Sequence, residues 1–271
     1  MIRDITIGQY YSGSSVIHRM DARMKIVLTL AYIVSIFICR NFISLGVMAL
    51  FVAVTALFSR VPVKMLLKSL KPVLIIVLFT AVLNIFYTTG GSTLVEWRFI
   101  KITSKGVFSA IFMSIRIIAL IVCSSLLTYT TTPTVLTGAI ESLLSPLKIF
   151  HIKVNTFAMM LTLALRFVPT LIEEIDRIMN AQKARGADLE SGGLISRARA
   201  LVPILIPLFI SSFRRAYDLA FAMECRCYTG GDNRTSMKKM KLAGRDFGAL
   251  VFYLIMLAGI IVVNRLFPAV I

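Results

Sequence analysis

Apolar positions along the chain gather into long unbroken runs separated by short polar stretches. Five such runs stand out, at residues 26–39, 42–58, 73–87, 107–127 and 247–263, the fourth interrupted by Arg116. A helix needs about 17–25 residues to cross a hydrocarbon core of about 30 Å. The second, fourth and fifth runs meet that length, and the other two draw on their flanks. Arg40 and Asn41 alone separate the first two runs, the length of a tight turn between two spans with Arg40 at the interface. Between residues 87 and 106, Gly90-Gly91 is followed by β-prone Val95, Trp97, Phe99 and Ile100, which predicts a short external hairpin.

Residues 128–246 follow a different pattern, too polar to span repeatedly and too apolar to remain unfolded. A short helix is predicted over 135–144, after the Thr-Thr-Pro-Thr start at 131–134 and before Pro146. A long one follows over 155–185. Its first half is almost wholly apolar. In its second half Val168, Leu171, Ile172, Ile175, Ile178 and Met179 recur at steps of three and four, with Glu173, Glu174, Asp176, Arg177, Asn180 and Lys183 between them. A third helix, over 204–228, has a stripe of Ile206, Phe209, Ile210, Phe213, Tyr217 and Ala220, with Ser211, Arg214, Arg215 and Asp218 facing away and a kink expected at Pro203 and Pro207. The pattern predicts an all-α integral membrane protein with about five transmembrane helices and three cytoplasmic or interfacial helices. Its expected parts are a membrane domain at 1–130, cytoplasmic helices at 131–245 and a last span at 246–271.

Composition agrees with this reading: 58% of residues are hydrophobic and 16% charged, against about 45–50% and 25% in soluble domains. Basic residues set the orientation. With the N-terminus in the cytoplasm, 24 of the 30 Lys and Arg fall on the cytoplasmic side and the C-terminus lies outside. The net charge of +17 would indicate nucleic acid in a soluble protein. Here topology and anionic lipid headgroups account for it, and no nucleic-acid partner is expected. The start, MIRDITIGQYY, lacks the apolar region of a cleaved signal, so the first span is expected to be retained. Cys39 and Cys123 fall in spans and Cys225 and Cys227 on the cytoplasmic side, so no disulfide framework is expected.

Two related hexamers close the amphipathic helices. Residues 181–186 read Ala-Gln-Lys-Ala-Arg-Gly and residues 222–227 read Ala-Met-Glu-Cys-Arg-Cys, placing Arg185 and Arg226 in the same setting. A cation at a helix C-terminus complements the dipole, and small neighbours allow a partner to approach closely. Arginine adds a planar fork of donors for carboxylates or carbonyls. Ordinary capping explains either hexamer alone. The repeat favours docking.

These hexamers, TTPTVLTGAIESLLSPLK at 131–148, ALRFVPTLIEEIDRIMNAQKARGAD at 164–188 and GQYYSGSSVIHRMDARMK at 8–25 resemble the transmembrane T component of energy-coupling factor transporters, of the shared, multi-vitamin type, over almost the whole chain. The resemblance implies a non-catalytic coupling subunit in a prokaryotic plasma membrane. Its long cytoplasmic helices would cross as coupling helices and set their ends into two ATP-binding cassette ATPases. Its membrane helices would hold exchangeable small substrate-binding membrane proteins, the S components. The docking residues it implies are Ala181, Ala184, Arg185 and Gly186 at one end and Ala222, Glu224, Cys225, Arg226 and Cys227 at the other. The family more often has alanine and glycine at 225 and 227, and proline at 22. ATP and Mg would be used by the ATPases, with no cofactor on this chain.

No GxxxxGK[ST] occurs, so a phosphate-cradling loop must come from a partner. Cys225 and Cys227 are two apart on a helix and point to different faces, and His18 and His151 lie far off in sequence, so no metal site is expected. Glu173, Glu174 and Asp176 read as a solvated or ion-paired face rather than an acid–base cluster. Arg116 remains open between an intramembrane functional role and a buried partner such as a carbonyl. Two alternatives stand beside the main reading: a dedicated cobalt, nickel or biotin version of the same subunit, and an intramembrane lipid-modifying enzyme drawing on Arg116, Asn84 and His151.

Overall fold

The computed structural model describes residues 10–88, 90, 93–97, 100–150, 153–187, 193–228, 230 and 240–267. Its helices are α1 (Ala22–Ile38), α2 (Phe42–Ser59), α3 (Val63–Leu70), α4 (Leu74–Tyr87), α5 (Ser104–Thr130), α6 (Pro133–Leu143), α7 (Val154–Ala184), α8 (Leu194–Glu224) and α9 (Gly244–Leu266). A short 3₁₀ segment, Ser145–Phe150, precedes α7. The expected hairpin is present as a two-stranded antiparallel ribbon, β1 (Thr93–Trp97) and β2 (Ile100–Thr103), with Trp97 opposite Ile100 and Glu96 opposite Lys101. The protein is an all-α integral membrane protein, and it divides into two compact units, Gly8–Ala139 with Lys239–Ile271, and Ile140–Lys238.

The first unit is a bundle built around α5. Helix α1 begins at Asp21, whose carboxylate accepts from the Arg23 N–H at 2.9 Å, and α5 begins at Thr103, whose hydroxyl accepts from the Gly106 N–H at 3.2 Å. Gly106 admits a close approach: a Cβ there would stand 3.1 Å from the Ile85 carbonyl of α4. Helix directions follow from paired contacts. Asp21 meets Asp246 and Ile38 meets Asn264, so α1 and α9 run the same way. Lys25 meets Thr130 and Cys39 meets Arg116, so α5 runs against them.

Lipid tails are as apolar as leucine, so such helices are held by packing and interhelical hydrogen bonds rather than by hydrophobic exclusion from water. The core is Tyr32, Ile36, Leu45, Met48, Phe112 and Ile260, each at most 1% exposed. Hydrogen bonds pin it. The Tyr32 hydroxyl donates to the Met48 carbonyl at 3.2 Å, and Ser35 and Tyr253 share a hydrogen bond between α1 and α9.

Three sequence expectations need correction. Residues 59–72, one of the polar stretches between apolar runs, contain α3, which lies along α5: the Tyr129 hydroxyl donates to the Met65 carbonyl at 3.2 Å and Ser125 to Ser69 at 3.2 Å. Helix α4 has 14 residues, about 21 Å of rise and too short to span alone. Together α3 and α4 are long and apolar enough, as a pair bent by 56°. The charges of Lys64 and Lys68 hid α3 from a search for unbroken apolar runs. Second, five described helices meet the length and hydropathy of a span singly, namely α2, α5, α7, α8 and α9, whereas α1, at 17 residues, falls just short. Helices α7 and α8 join this set because their apolar stretches are long, although their charged halves marked them as surface helices.

Third, α8 starts ten residues before the expected 204 and runs through Pro203 and Pro207. Pro207 has no N–H for the Pro203 carbonyl one turn back. Gln182 of α7 supplies that donor, its Nε2 standing 3.4 Å from the Pro203 oxygen.

Candidate functional site

Helices α7 and α8 of the second unit lie antiparallel. Gln182 meets Pro203 near one end, Glu174 meets Ser211 and Arg215 in the middle, and Tyr228 meets the Met159 sulfur near the other end. The outer contacts are 23 residues apart on α7, or about 35 Å at 1.5 Å per residue. Arg185 and Arg226 therefore sit at opposite ends of the pair.

Both ends close in the same way. At the first, the Gly186 N–H donates to the Lys183 carbonyl at 3.0 Å and the Ala187 N–H to Gln182 at 3.0 Å. At the second, the Cys227 N–H donates to Glu224 at 2.8 Å and the Tyr228 N–H to Met223 at 3.0 Å. These are the paired bonds of a Schellman motif, which needs a left-handed residue after the last helical one. Gly186 supplies it at φ +84° and Cys227 at φ +56°. The second end, which sequence left poorly defined for want of a glycine, is thus as well closed as the first. Its cysteine holds the backbone position where the resembled family more often has glycine.

Each arginine immediately precedes the left-handed residue. The Schellman bonds already occupy the Gln182 and Lys183 carbonyls at one end and the Met223 and Glu224 carbonyls at the other, so these need no guanidinium. Arg185 and Arg226 are exposed and have no side-chain partner among the described residues. Ala181, Ala184, Gly186, Ala222, Glu224, Cys225 and Cys227 are exposed around them, so each fork of donors projects from small neighbours at a rigid helix end.

The rest of the pair is arranged unlike a soluble hairpin. On α8, Ile206, Phe209, Ile210, Phe213 and Tyr217 are 56–72% exposed. Ser211 and Arg215, which face away from that stripe, meet Glu174 of α7. An apolar exterior with polar residues between helices is what a lipid environment favours. Glu173 stands 4.0 Å from Arg177 and Glu174 pairs with Arg215, so these carboxylates are ion-paired. Among the described residues no group of three His, Cys, Asp or Glu could hold a metal ion. His151 lies outside the described residues.

In the bundle, Arg116 has the buried partner weighed from sequence. Its Nη2 donates to the Cys39 carbonyl at 2.8 Å, and its guanidinium lies 4.7 Å from the Phe112 ring centroid. That carbonyl follows the last turn of α1, where a cation complements the helix C-terminus. Asn84 donates to the Thr80 carbonyl at 2.8 Å and accepts from Ser109 at 3.4 Å.

Sequence reasoning passed over several anchors. The Asp246 carboxylate accepts from the Asp21 N–H at 3.0 Å and the Ala243 N–H at 2.8 Å, joining the starts of α1 and α9. Buried Lys25 donates to the Thr130 carbonyl at 2.9 Å, the Thr131 hydroxyl at 3.2 Å and the His18 carbonyl at 3.3 Å. Asn41 donates to the Phe267 carbonyl at 2.9 Å. Only Asp246 had a local signal, an acid three residues after a helix start. The other partners are distant in sequence.

Residues 13–237 match the family model described as cobalt transport protein (CbiQ). The chain is similar to the energy-coupling factor transporter transmembrane protein EcfT of Clostridium kluyveri, 52% identical over 94% of this chain and 95% of that one. It is similar likewise to that of Ruminiclostridium cellulolyticum, 51% identical over 91% and 92%, and of Bacillus subtilis, 41% identical over 95% and 97%. With a multi-pass helical membrane fold and near full-length identity to these proteins, the chain belongs to the family of energy-coupling factor transporter transmembrane proteins.

Proposed function

We propose that this chain is the coupling subunit of an ATP-driven vitamin importer, in which Arg185 and Arg226 dock two cytoplasmic ATP-binding cassette ATPases and the membrane helices hold exchangeable substrate-binding membrane proteins. The observation that carries this reading is the pair of identically closed, arginine-bearing ends, exposed and without a side-chain partner among the described residues, at opposite ends of α7–α8. A guanidinium fork suits carboxylates or backbone carbonyls in a receiving groove. Two ends about 35 Å apart suit two ATPases, one at each. ATP-driven approach of the ATPases shifts the two ends, and the α7–α8 pair, tied by Gln182–Pro203, Glu174–Arg215 and Tyr228–Met159, carries the movement as a lever. ATP and Mg are bound by the ATPases. The basic-residue bias supports a cytoplasmic N-terminus and an outside C-terminus in the plasma membrane of a prokaryote.

The experiment is uptake in cells co-producing the ATPases and one S component, with ATPase co-purification as a second readout. Arg185→Glu, which puts like charge against a receiving carboxylate, is expected to lower uptake at least tenfold (about 1.4 kcal/mol of coupling) and to release an ATPase while the chain stays in the membrane. Wild-type uptake in Arg185→Glu would remove the docking assignment. The description of the matching family model as cobalt transport favours a second reading, a dedicated metal-ion importer. One small membrane partner instead of several would select it.

A further inference from the structure

The first unit carries a groove that none of these roles uses. It measures about 460 Å³ and lies among α1, α2, α5 and α9, with Leu28, Phe51, Val54, Leu127 and Phe252 on its walls. Clefts that hold small molecules run from about 300 to 1,000 Å³. On α9 the lining extends from Arg245 to Phe252, a depth of about 10 Å, or roughly a third of a 30 Å hydrocarbon core and within one leaflet. Phe58 and Phe252 are 64% and 56% exposed, so the rim opens sideways, toward lipid rather than toward water alone.

Two cations line the groove, and they differ. Lys25 is buried with its ammonium hydrogen-bonded to Thr130, Thr131 and His18. Arg245 is exposed and has no side-chain partner among the described residues. The adjacent Asp246 carboxylate is buried and accepts from two backbone N–H groups. Arg245 also sits in the first turn of α9, where the helix dipole disfavours a cation, so helix stability gives no reason for it.

An apolar slot with an uncommitted guanidinium at its rim is complementary to an anionic amphiphile. We propose that this groove is a binding site for an anionic phospholipid, with one acyl chain among the four helices and the phosphate on Arg245. In the orientation proposed above, the lipid comes from the inner leaflet, where anionic headgroups and basic residues attract one another.

The test uses the full chain, purified in mild detergent, stripped of lipid and offered equimolar phosphatidylglycerol and phosphatidylcholine, with retained lipid counted by mass spectrometry after gel filtration. The wild type is expected to retain phosphatidylglycerol about fivefold over phosphatidylcholine, the effect of one interfacial cation. Arg245→Gln should bring that ratio close to one without lowering total lipid. Ala249→Trp and Val54→Trp, which fill the groove from two different helices, should each lower both lipids. Using two walls means that failure of one variant to fold leaves the other as the measurement. Equal retention of the two lipids by the wild type, or a preference that survives Arg245→Gln, would overturn the anionic site. Full retention in a folded groove-filling variant would overturn the groove as its location.

Discussion

The two units use the charges near their helix ends in opposite ways. In the bundle, Asp246, Lys25 and Arg116 are each bonded to backbone groups at or near helix ends and turns, and they join segments far apart in sequence. In the α7–α8 pair, the backbone at both ends closes on itself through Schellman bonds, and Arg185 and Arg226 have no side-chain partner among the described residues. A basic residue at a helix end therefore has no fixed meaning. Where the terminal carbonyls lack donors it holds the fold together. Where they are already satisfied it is free to meet another molecule. Within the bundle, Lys25 is committed to carbonyls in the same way, whereas Arg245, in the first turn of α9, has no side-chain partner among the described residues.

The largest expected effect lies with Asp246. Asp246→Ala leaves the buried Asp21 N–H and the half-buried Ala243 N–H without their acceptor, at about 3 kcal/mol for two charge-assisted bonds. Thermal unfolding in detergent should fall by about 6–12 °C. A fall under about 2 °C would mean that the bundle does not depend on such anchors, and the contrast between the units would fail. Arg116→Met comes next. It removes the donor from the Cys39 carbonyl and the cation over Phe112 but keeps the apolar bulk, so a loss of about 1–2 kcal/mol is expected in the same assay. Unchanged stability with lost uptake would reassign Arg116 from the fold to transport.

The degree to which sequence foretold these features follows the range of the interactions. Spans such as α2, α5 and α9 were legible because an apolar run of sufficient length has few other uses. The break at Arg40-Asn41 was legible because it interrupts two apolar runs, and the β1–β2 ribbon from its β-prone residues. Helix α3 was not, because its stabilising contacts lie 56 and 64 residues away, at Ser125 and Tyr129, while Lys64 and Lys68 interrupt its own apolar residues. The passage of α8 through two prolines depends on a glutamine 21 residues earlier, which no pattern within α8 announces. The stripe of Phe209 and Phe213 was found correctly as a stripe. Which face meets α7 was not legible, because the pairing of Ser211 and Arg215 with Glu174 joins residues 37 and 41 positions apart. For the candidate site, both hexamers were found from their repetition. The left-handed conformation of Cys227 was missed because residue type argued against it.

That conformation offers the smallest and sharpest comparison, because it sets the two arginine-bearing ends against each other within one pair of helices. A residue with a Cβ in the left-handed region costs about 1–2 kcal/mol, from which glycine is exempt. Glycine also enlarges the entropy of the unfolded chain, which offsets about 0.5–1 kcal/mol of that gain. Cys227→Gly should therefore stabilise the end of α8 by about 0.5–1 kcal/mol. The readout is local: the Tyr228 amide, which donates to the Met223 carbonyl, should exchange its hydrogen about two- to fivefold more slowly. Gly186→Cys is the mirror experiment and should speed exchange at Ala187, whose amide donates to Gln182, by a similar factor. Equal and opposite changes would mean that both ends are one device, differing only in the side chain that closes it. If Gly186→Cys speeds exchange while Cys227→Gly does nothing, the cysteine must gain something at that end that glycine would lose, and the two ends would no longer be equivalent.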